Sequence, residues 1–238
     1  IWITDTRGIN KISNLKVLNY FEKNGMREDE VTAIAETNDG KIVLGHNKGI
    51  SILENNTFKR ISFPESQINT RRIQDIIVDN KGDVWFISIS LGIGRLTTDG
   101  KIRWYKSAKY PVVTAIHQDK AGRIWIGADR KLLYFENDEL IEYKPFKSDK
   151  NTIRKIFSSP EGGILIAGLE GLWHVANNKV EKIPSPANKI ADNVFSYYHN
   201  RKGEEYVGTI KGLWIVENGR IVKYRKNGIE INSPLFFI

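Results

Sequence analysis

The chain has 238 residues, 40% of them apolar and 27% charged, an ordinary globular mixture long enough for one large all-β domain or two small ones. It contains no cysteine, which excludes disulfides, thiolate metal sites and cysteine nucleophiles together. Its formal net charge of +8 comes from lysines dispersed over turns, Lys41, Lys81, Lys120 and Lys202 among them, and not from a basic block interleaved with aromatics, so a nucleic-acid partner is not expected. No apolar run approaches the roughly 18–20 residues of a membrane-spanning helix. The chain opens at Ile1 in a strand-like run, so it reads as a processed or excised piece from which a signal peptide or anchor could have been removed.

In chain order, Ile1–Thr4, Gly8–Ile12 and Leu15–Tyr20 read as three strands. Five units of four strands each follow. They are Val31–Ala35, Lys41–Leu44, Gly49–Leu53 and Thr57–Ile61; Ile73–Val78, Asp83–Ile87, Ile93–Thr97 and Lys101–Tyr105; Val112–Ile116, Arg123–Gly127, Lys131–Phe135 and Glu139–Tyr143; Ile153–Phe157, Gly163–Ala167, Gly171–Val175 and Lys179–Ile183; Val194–Tyr198, Glu204–Gly208, Gly212–Val216 and Arg220–Tyr224. β-branched and aromatic residues fill these runs, and no stretch sustains a helical period. A turn glycine precedes each second strand at Gly40, Gly82, Gly122, Gly162 and Gly203, a period near 41. Three residues on stands a large side chain: Val43, Trp85, Trp125, Leu165 and Tyr206. Asn and Gly pairs separate third from fourth strands, a hairpin composition.

Four antiparallel strands at a fixed period near 41 residues predict an all-β fold, a β-propeller. The chain would form a single domain, 1–238. The N-terminal strands lack a first strand, and Leu235–Ile238 reads as a first strand with nothing after it. Joining them gives about six blades: 1–20 plus 235–238, 31–61, 73–105, 112–143, 153–183 and 194–224. Closure would hide two sheet edges. The rival arrangement is an open arc of a seven-bladed ring.

The pattern Asp119-x-x-Gly122-x-x-Trp125-Ile126-Gly127, with Gly203, Tyr206, Gly208, Gly212 and Leu213 in another unit and Gly171-Leu172 in a third, resembles the two-component regulator propeller repeat. That resemblance implies the periplasmic sensor part of a bacterial, Bacteroidetes-like, hybrid histidine kinase. It would bind a small molecule or glycan and act on the remaining domains of the same protein; a homodimer of the full-length protein stays open. The fragment itself would be no enzyme, since any kinase activity would lie in domains outside it, and it would need no cofactor. A protein–protein interaction scaffold is a further alternative.

A second, partial resemblance runs through Gly82-Asp83-Val84-Trp85-Phe86 and Ile93-Gly94-Arg95-Leu96, which is similar to the streptogramin B lyase propellers. It implies a metal-assisted enzyme with a catalytic histidine, for which His117 with Asp119 is the candidate. Against it, His46, His117, His174 and His199 show no metal-ligand spacing, and His117 and His199 are expected beside solvent turns. No phosphate loop and no nucleophile elbow occurs. No catalytic or metal residue is therefore assigned.

The turn aspartates Asp39, Asp79 and Asp119 are expected to hydrogen-bond their own turn backbone. Trp2, Trp85 and Trp125 are expected to pack between neighbouring blades. A ligand face is expected where the repeat varies. From turns between second and third strands it would take Asp5, Arg7, His46, Lys48, Ser88, Ser90, Asp129, Arg130, Glu170 and Lys211. From connections into the next first strand it would take Arg71, Arg72, Tyr110 and Lys147.

Overall fold

Every turn glycine of the repeat sits where the backbone has a positive φ, so the chain reverses at fixed intervals and strands pair with their sequence neighbours. Gly82 and Gly122 both have φ 86°, open to glycine and strained for a side chain. In this computed structural model the described residues are 2–5, 8–13, 16–61, 63, 72–88, 91–105, 109–147, 152–186, 192–225, 228 and 230–236; for 2–17 the backbone alone is described. The fold is all-β and built of propeller blades.

The first sheet holds β1 (Trp2–Asp5), β2 (Gly8–Ser13) and β3 (Lys16–Tyr20). The second holds β4 (Ala33–Glu36), β5 (Ile42–Gly45), β6 (Ile50–Glu54) and β7 (Thr57–Ile61). The third holds β8 (Ile73–Val78), β9 (Val84–Ser88), β10 (Gly92–Leu96) and β11 (Ile102–Tyr105). The fourth holds β12 (Ala115–Gln118), β13 (Ile124–Ala128), β14 (Lys131–Glu136) and β15 (Glu139–Glu142). The fifth holds β16 (Ile153–Ser158), β17 (Ile164–Gly168), β18 (Gly171–Ala176) and β19 (Lys179–Lys182). The sixth holds β20 (Val194–His199), β21 (Glu205–Thr209), β22 (Gly212–Glu217) and β23 (Arg220–Lys223). A three-residue 3-10 turn, Glu22–Asn24, is the one helical element described, and it is far too short to cross a membrane.

Two first strands start later than their sequence suggests. β4 begins at Ala33 and β12 at Ala115, not at Val31 and Val112. The reason shows in the other sheets, where the register shifts by one residue between Ile73 and Asp75, Ile153 and Lys155, and Val194 and Ser196. Three of the first strands, β8, β16 and β20, thus carry a bulge, and Ala33, by its pairing with Gly45, holds the position that lies just beyond the bulge in those strands. Val31 and Val113 keep their apolar role before it, 9% and 7% exposed, while Val112 is 56% exposed.

The chain divides into two compact units, Ile1–Ile116 and His117–Ile238. In the first, β4 and β5 pack against β8, and Val43, Ile50, Phe63, Ile73, Ile76, Val84 and Phe86 form one apolar cluster. In the second, β13 packs on β16 and β17 on β20, with Leu165, Ala167, Leu172, Val194, Tyr197, Val207 and Trp214 clustered. Each buried Val, Leu, Ile or Phe among them contributes about 1.5–3 kcal/mol by leaving water. Second strands are buried on both faces, which is why β5, β9, β13 and β17 are nearly continuous apolar runs.

At the C-terminus the Leu235 N–H donates to the Thr209 carbonyl, 2.9 Å. Ile73 donates likewise to His46 and Ile153 to Asp129, so Leu235 meets the sheet before it as a first strand does. Phe237 and Ile238, the rest of the expected closing strand, lie outside the described residues.

Candidate ligand-binding face

The turns before the second strands are closed by a side chain six residues ahead of the large residue. Asp119 Oδ1 accepts from Ala121 N and Arg123 N, each 2.9 Å, and Oδ2 accepts from the Trp125 indole N–H at 2.7 Å. Asp79 does the same for Lys81 N, Asp83 N and the Trp85 indole, 2.9, 2.9 and 2.8 Å. Sheets without the tryptophan use side chains with fewer acceptors: Thr37 with Val43, Ser159 with Leu165, Asn200 with Tyr206. Asp39 is therefore not the turn-closing residue of its sheet; it pairs with Lys41 Nζ at 2.9 Å. Trp85 and Trp125 are 3% and 5% exposed, and the aromatic partners described for them lie in or directly after strands of their own sheets, Tyr105 for the one and Tyr134 and Tyr143, the residue after β15, for the other.

Two clefts open beside these turns, one within each unit. A cleft of about 420 Å³ between the second and third sheets is bordered by Thr37, Lys41, Glu54, Lys59, Lys81 and Thr98. One of about 370 Å³ between the fifth and sixth is bordered by Glu161, His174, Glu181, Lys182 and Glu205. Both clefts thus lie beside the turns that precede second strands, not beside the second-to-third-strand turns where a ligand face is expected.

On the opposite side, three expected residues come together. His46 is fully buried, with Nδ1 2.8 Å from the Glu30 carbonyl and Nε2 2.9 Å from Ser51 Oγ. Burial lowers its pKa, so the ring is neutral and fixed, not a solvated turn residue. Around it, Arg72 Nη1 donates to Glu30 Oε1 at 2.7 Å and to Asn47 Oδ1 at 3.0 Å, and Asn47 Nδ2 donates to Glu30 Oε2 at 2.8 Å. Glu28 Oε2 accepts from Asn47 N, 2.8 Å, and Glu28 Oε1 pairs with Lys48 Nζ, 3.3 Å. The hydrogen bond from Arg72 holds the Glu30 carboxyl below its usual range. Glu28, Glu30 and Asn47 were missed from sequence: the glutamates lie in the stretch between the first two sheets, where the repeat gives no register.

The other expected residues are placed as follows. Ser88 is 2% exposed and belongs to the interior, ending the buried strand β9. Asp129, exposed with φ 51°, receives the Ile153 N–H on its carbonyl and Arg130 Nε on its carboxylate at 3.5 Å. Tyr110 lies under Lys109 Nζ, 5.1 Å from the ring centroid. Lys147 and Lys211 are exposed and Glu170 is half-buried. Asp5 is described by its backbone only, and Arg7, Arg71 and Ser90 lie outside the described residues.

Comparison with known proteins now bears on this geometry. Residues 109–130 match the family described as Two component regulator propeller. They contain the Asp119–Gly122–Trp125 clasp and the variable turn that follows it. The fold is shared with two extracellular domains of B. thetaiotaomicron described as parts of hybrid two component systems. One has 12% identity and a TM-score of 0.76, covering 99% of this chain and 33% of that one. The other has 21% identity and a TM-score of 0.74, covering 98% and 33%. This chain thus spans about a third of each. It also shares the fold of virginiamycin B lyase from Staphylococcus aureus, at 14% identity and TM-score 0.71, over 83% of this chain and 70% of the lyase. No curated protein sequence matches.

The lyase-like stretch is engaged internally. Asp83 Oδ2 binds Arg95 Nη2 at 2.6 Å, Asp83 Oδ1 accepts from Thr98 N at 2.9 Å, and the Arg95 guanidinium lies 5.0 Å from the Trp85 ring centroid. His117 stands inside β12, not after it, with Nε2 2.9 Å from Ser158 Oγ. Burial pushes its pKa down to about 4 against a small opposing pull from Asp119. His174 Nε2 is 2.8 Å from the Gly162 carbonyl, and His199 ends β20 in an exposed position. Among the described residues, no three His, Asp or Glu side chains gather as a metal would require.

Proposed function

We propose that the chain is part of the extracytoplasmic sensing region of a bacterial two-component signalling protein, residing in the periplasm. A small molecule or glycan would bind the face formed by second-to-third-strand turns and bias an output module elsewhere in the protein. The observation that carries this reading is the division of labour within the matched repeat. Its recurrent residues, Asp119 and Trp125, are spent on a local clasp, while Asp129-Arg130 beyond it is exposed and differs from every other sheet. The extracellular domains of like fold support the same reading. So does the Glu28–Glu30–Asn47–Arg72 network, an ordered polar surface whose members keep partly open side chains, 43% for Arg72 and 40% for Glu30.

The test is a thermal-shift screen of the chain against neutral and charged glycans and small metabolites, followed by hydrogen exchange with any hit. A ligand at 100 times its Kd raises stability by about 2.7 kcal/mol, a readily measured shift. Protection is expected at the second-to-third-strand turns, at Asn47 and Lys48 for a ligand of the first unit or around Asp129 for a ligand of the second. Protection confined to the clefts beside Gly82 or Gly162 would move the binding face to the other side, and a screen with no shift would favour a protein partner.

A further inference from the structure

The residue left over by each first-strand bulge differs from sheet to sheet: Gln74 in the third, Arg154 in the fifth, Phe195 in the sixth. A bulge frees that residue from the ladder and re-aims its side chain. In the unit His117–Ile238 two of these residues meet. The Arg154 guanidinium carbon lies 3.8 Å from the centroid of the Phe195 ring. Phe195 in turn stands edge-on to Phe236, with ring centroids 4.8 Å apart and an interplanar angle of 86°. Positions 154, 195 and 236 are each one repeat apart, and the Leu235–Thr209 hydrogen bond brings Phe236 in as the next member of the series.

Arg154 is the anomaly. Its Nη1 is buried with no hydrogen-bond acceptor. Burial alone lowers its pKa; no carboxylate among the described residues acts on it. Arg95 and Arg72, by contrast, each hold a carboxylate, at 2.6 and 2.7 Å. A ring face attracts the cation but offers no acceptor to a planar fork of five N–H donors. Two further buried polar atoms on either side of Phe195 in the chain, Asn193 Oδ1 and Ser196 Oγ, also lack partners. Buried polar groups without partners are rare, and the orphaned Nη1 donor of Arg154 asks for a missing acceptor. Phe236 remains 49% exposed, so its ring presents a surface to an incoming molecule.

We propose that Arg154, Phe195 and Phe236 form a subsite for a carboxylate joined to a ring, a sugar acid or an aromatic acid. The guanidinium pairs with the carboxylate and the ring body lies on Phe236. The subsite rests on the sensing role proposed above for its purpose, not for its chemistry.

The test uses the whole chain, with glucuronate and benzoate as probes, glucose and benzyl alcohol as neutral counterparts, sulfate as a bare anion, and a set of neutral oligosaccharides. Both thermal shift and calorimetry are read. The carboxylates are expected to raise the Tm and the neutral counterparts not to. R154M keeps the length of the side chain and removes an unpaired charge, so its own Tm is expected to equal or exceed that of the parent while the carboxylate response disappears. F236A, changing a half-exposed ring, is expected to fold and to weaken binding roughly tenfold. A response to glucuronate alone identifies the sugar acid, and one to benzoate alone the aromatic acid; either keeps the subsite. R154M that still responds, or sulfate acting as strongly as the carboxylates, overturns it. A response to a neutral oligosaccharide with none to either carboxylate overturns the subsite and leaves the sensing role intact. No response to any compound overturns both.

Discussion

The turn clasp makes a prediction that the chain itself sets up. In the fourth sheet Asp119 serves two backbone N–H groups and the indole of Trp125, whereas in the fifth Ser159 and Leu165 hold the same two positions. Consider D119S. Serine keeps an acceptor for the turn backbone, as Ser159 does, but the indole N–H, on a residue 5% exposed, loses its partner. Leaving a buried donor unpaired costs about 1–3 kcal/mol, and the second turn hydrogen bond adds about 1 kcal/mol. W125L alone removes buried aromatic surface and is expected to cost about 2–4 kcal/mol. In D119S/W125L no indole remains to be orphaned, so the double variant is expected to be about 1–3 kcal/mol more stable than the sum of its parents implies. Urea unfolding followed by circular dichroism, with midpoints compared at unchanged m, measures this coupling. A coupling within about 0.5 kcal/mol of zero would show that Asp119 acts on the turn alone and that the indole contributes nothing to the pairing.

Three further outcomes follow from the same geometry. His117 titrates near 4 when folded and near 6.5 when free, so the unfolded state binds its proton first. Its stabilising contribution is complete above about pH 6.5 and is lost as pH falls through about 4, amounting to about 3 kcal/mol; H117Q is expected to flatten that part of the stability–pH curve, and an unchanged slope would contradict burial as the cause. At Gly94 an added Cβ would lie 2.3 Å from the ring of Phe86, itself fully buried between Phe63 and Trp104. G94A is therefore expected to lower stability by about 1–3 kcal/mol in the same urea assay, and a neutral result would mean that the ring can retreat. R72A removes a salt bridge whose partners are 43% and 40% exposed, so it is expected to cost less than about 1 kcal/mol while altering the response to any ligand of that face; a large loss of stability would make the network structural.

The repeat was readable because its signals are local. A positive-φ glycine, a two-residue Asn turn such as Asn177-Asn178 and a wholly apolar second strand each follow from a few neighbouring residues. What escaped depends on pairs that meet across a fold. The aspartate–indole bond joins positions six apart around a turn: Asp79 stands three residues before its glycine and reaches Trp85, whereas Asp39 stands one before its glycine and pairs with Lys41, a difference of spacing that residue type alone does not carry. The bulge is likewise silent, since Ile73-Gln74-Asp75 looks like plain strand; only pairing reveals that the ladder skips Gln74. His46 looked like a polar turn residue because the segment before β4, with Met26 fully buried and Glu30 on the imidazole, could not be placed from the repeat.

These omissions have a common physical form, and it bears on where function can reside. A blade that closes its own turn with its own side chain needs nothing from its neighbours at that end. The clasp therefore tolerates change elsewhere in the sheet: Asp–Trp, Ser–Leu and Asn–Tyr versions coexist in one chain. The bulge does the converse. It fixes the backbone of the first strand while releasing one side chain from the ladder in each of three sheets, so Gln74, Arg154 and Phe195 occupy one backbone position with unrelated chemistry. Variation concentrated at a geometrically fixed point is what a recognition surface requires, since position is set by the scaffold and identity is free. On that reasoning, the bulge series and the second-to-third-strand turns are the places where chains of this fold are expected to differ in what they bind, and the Asp–Gly turns the places where they are expected to agree.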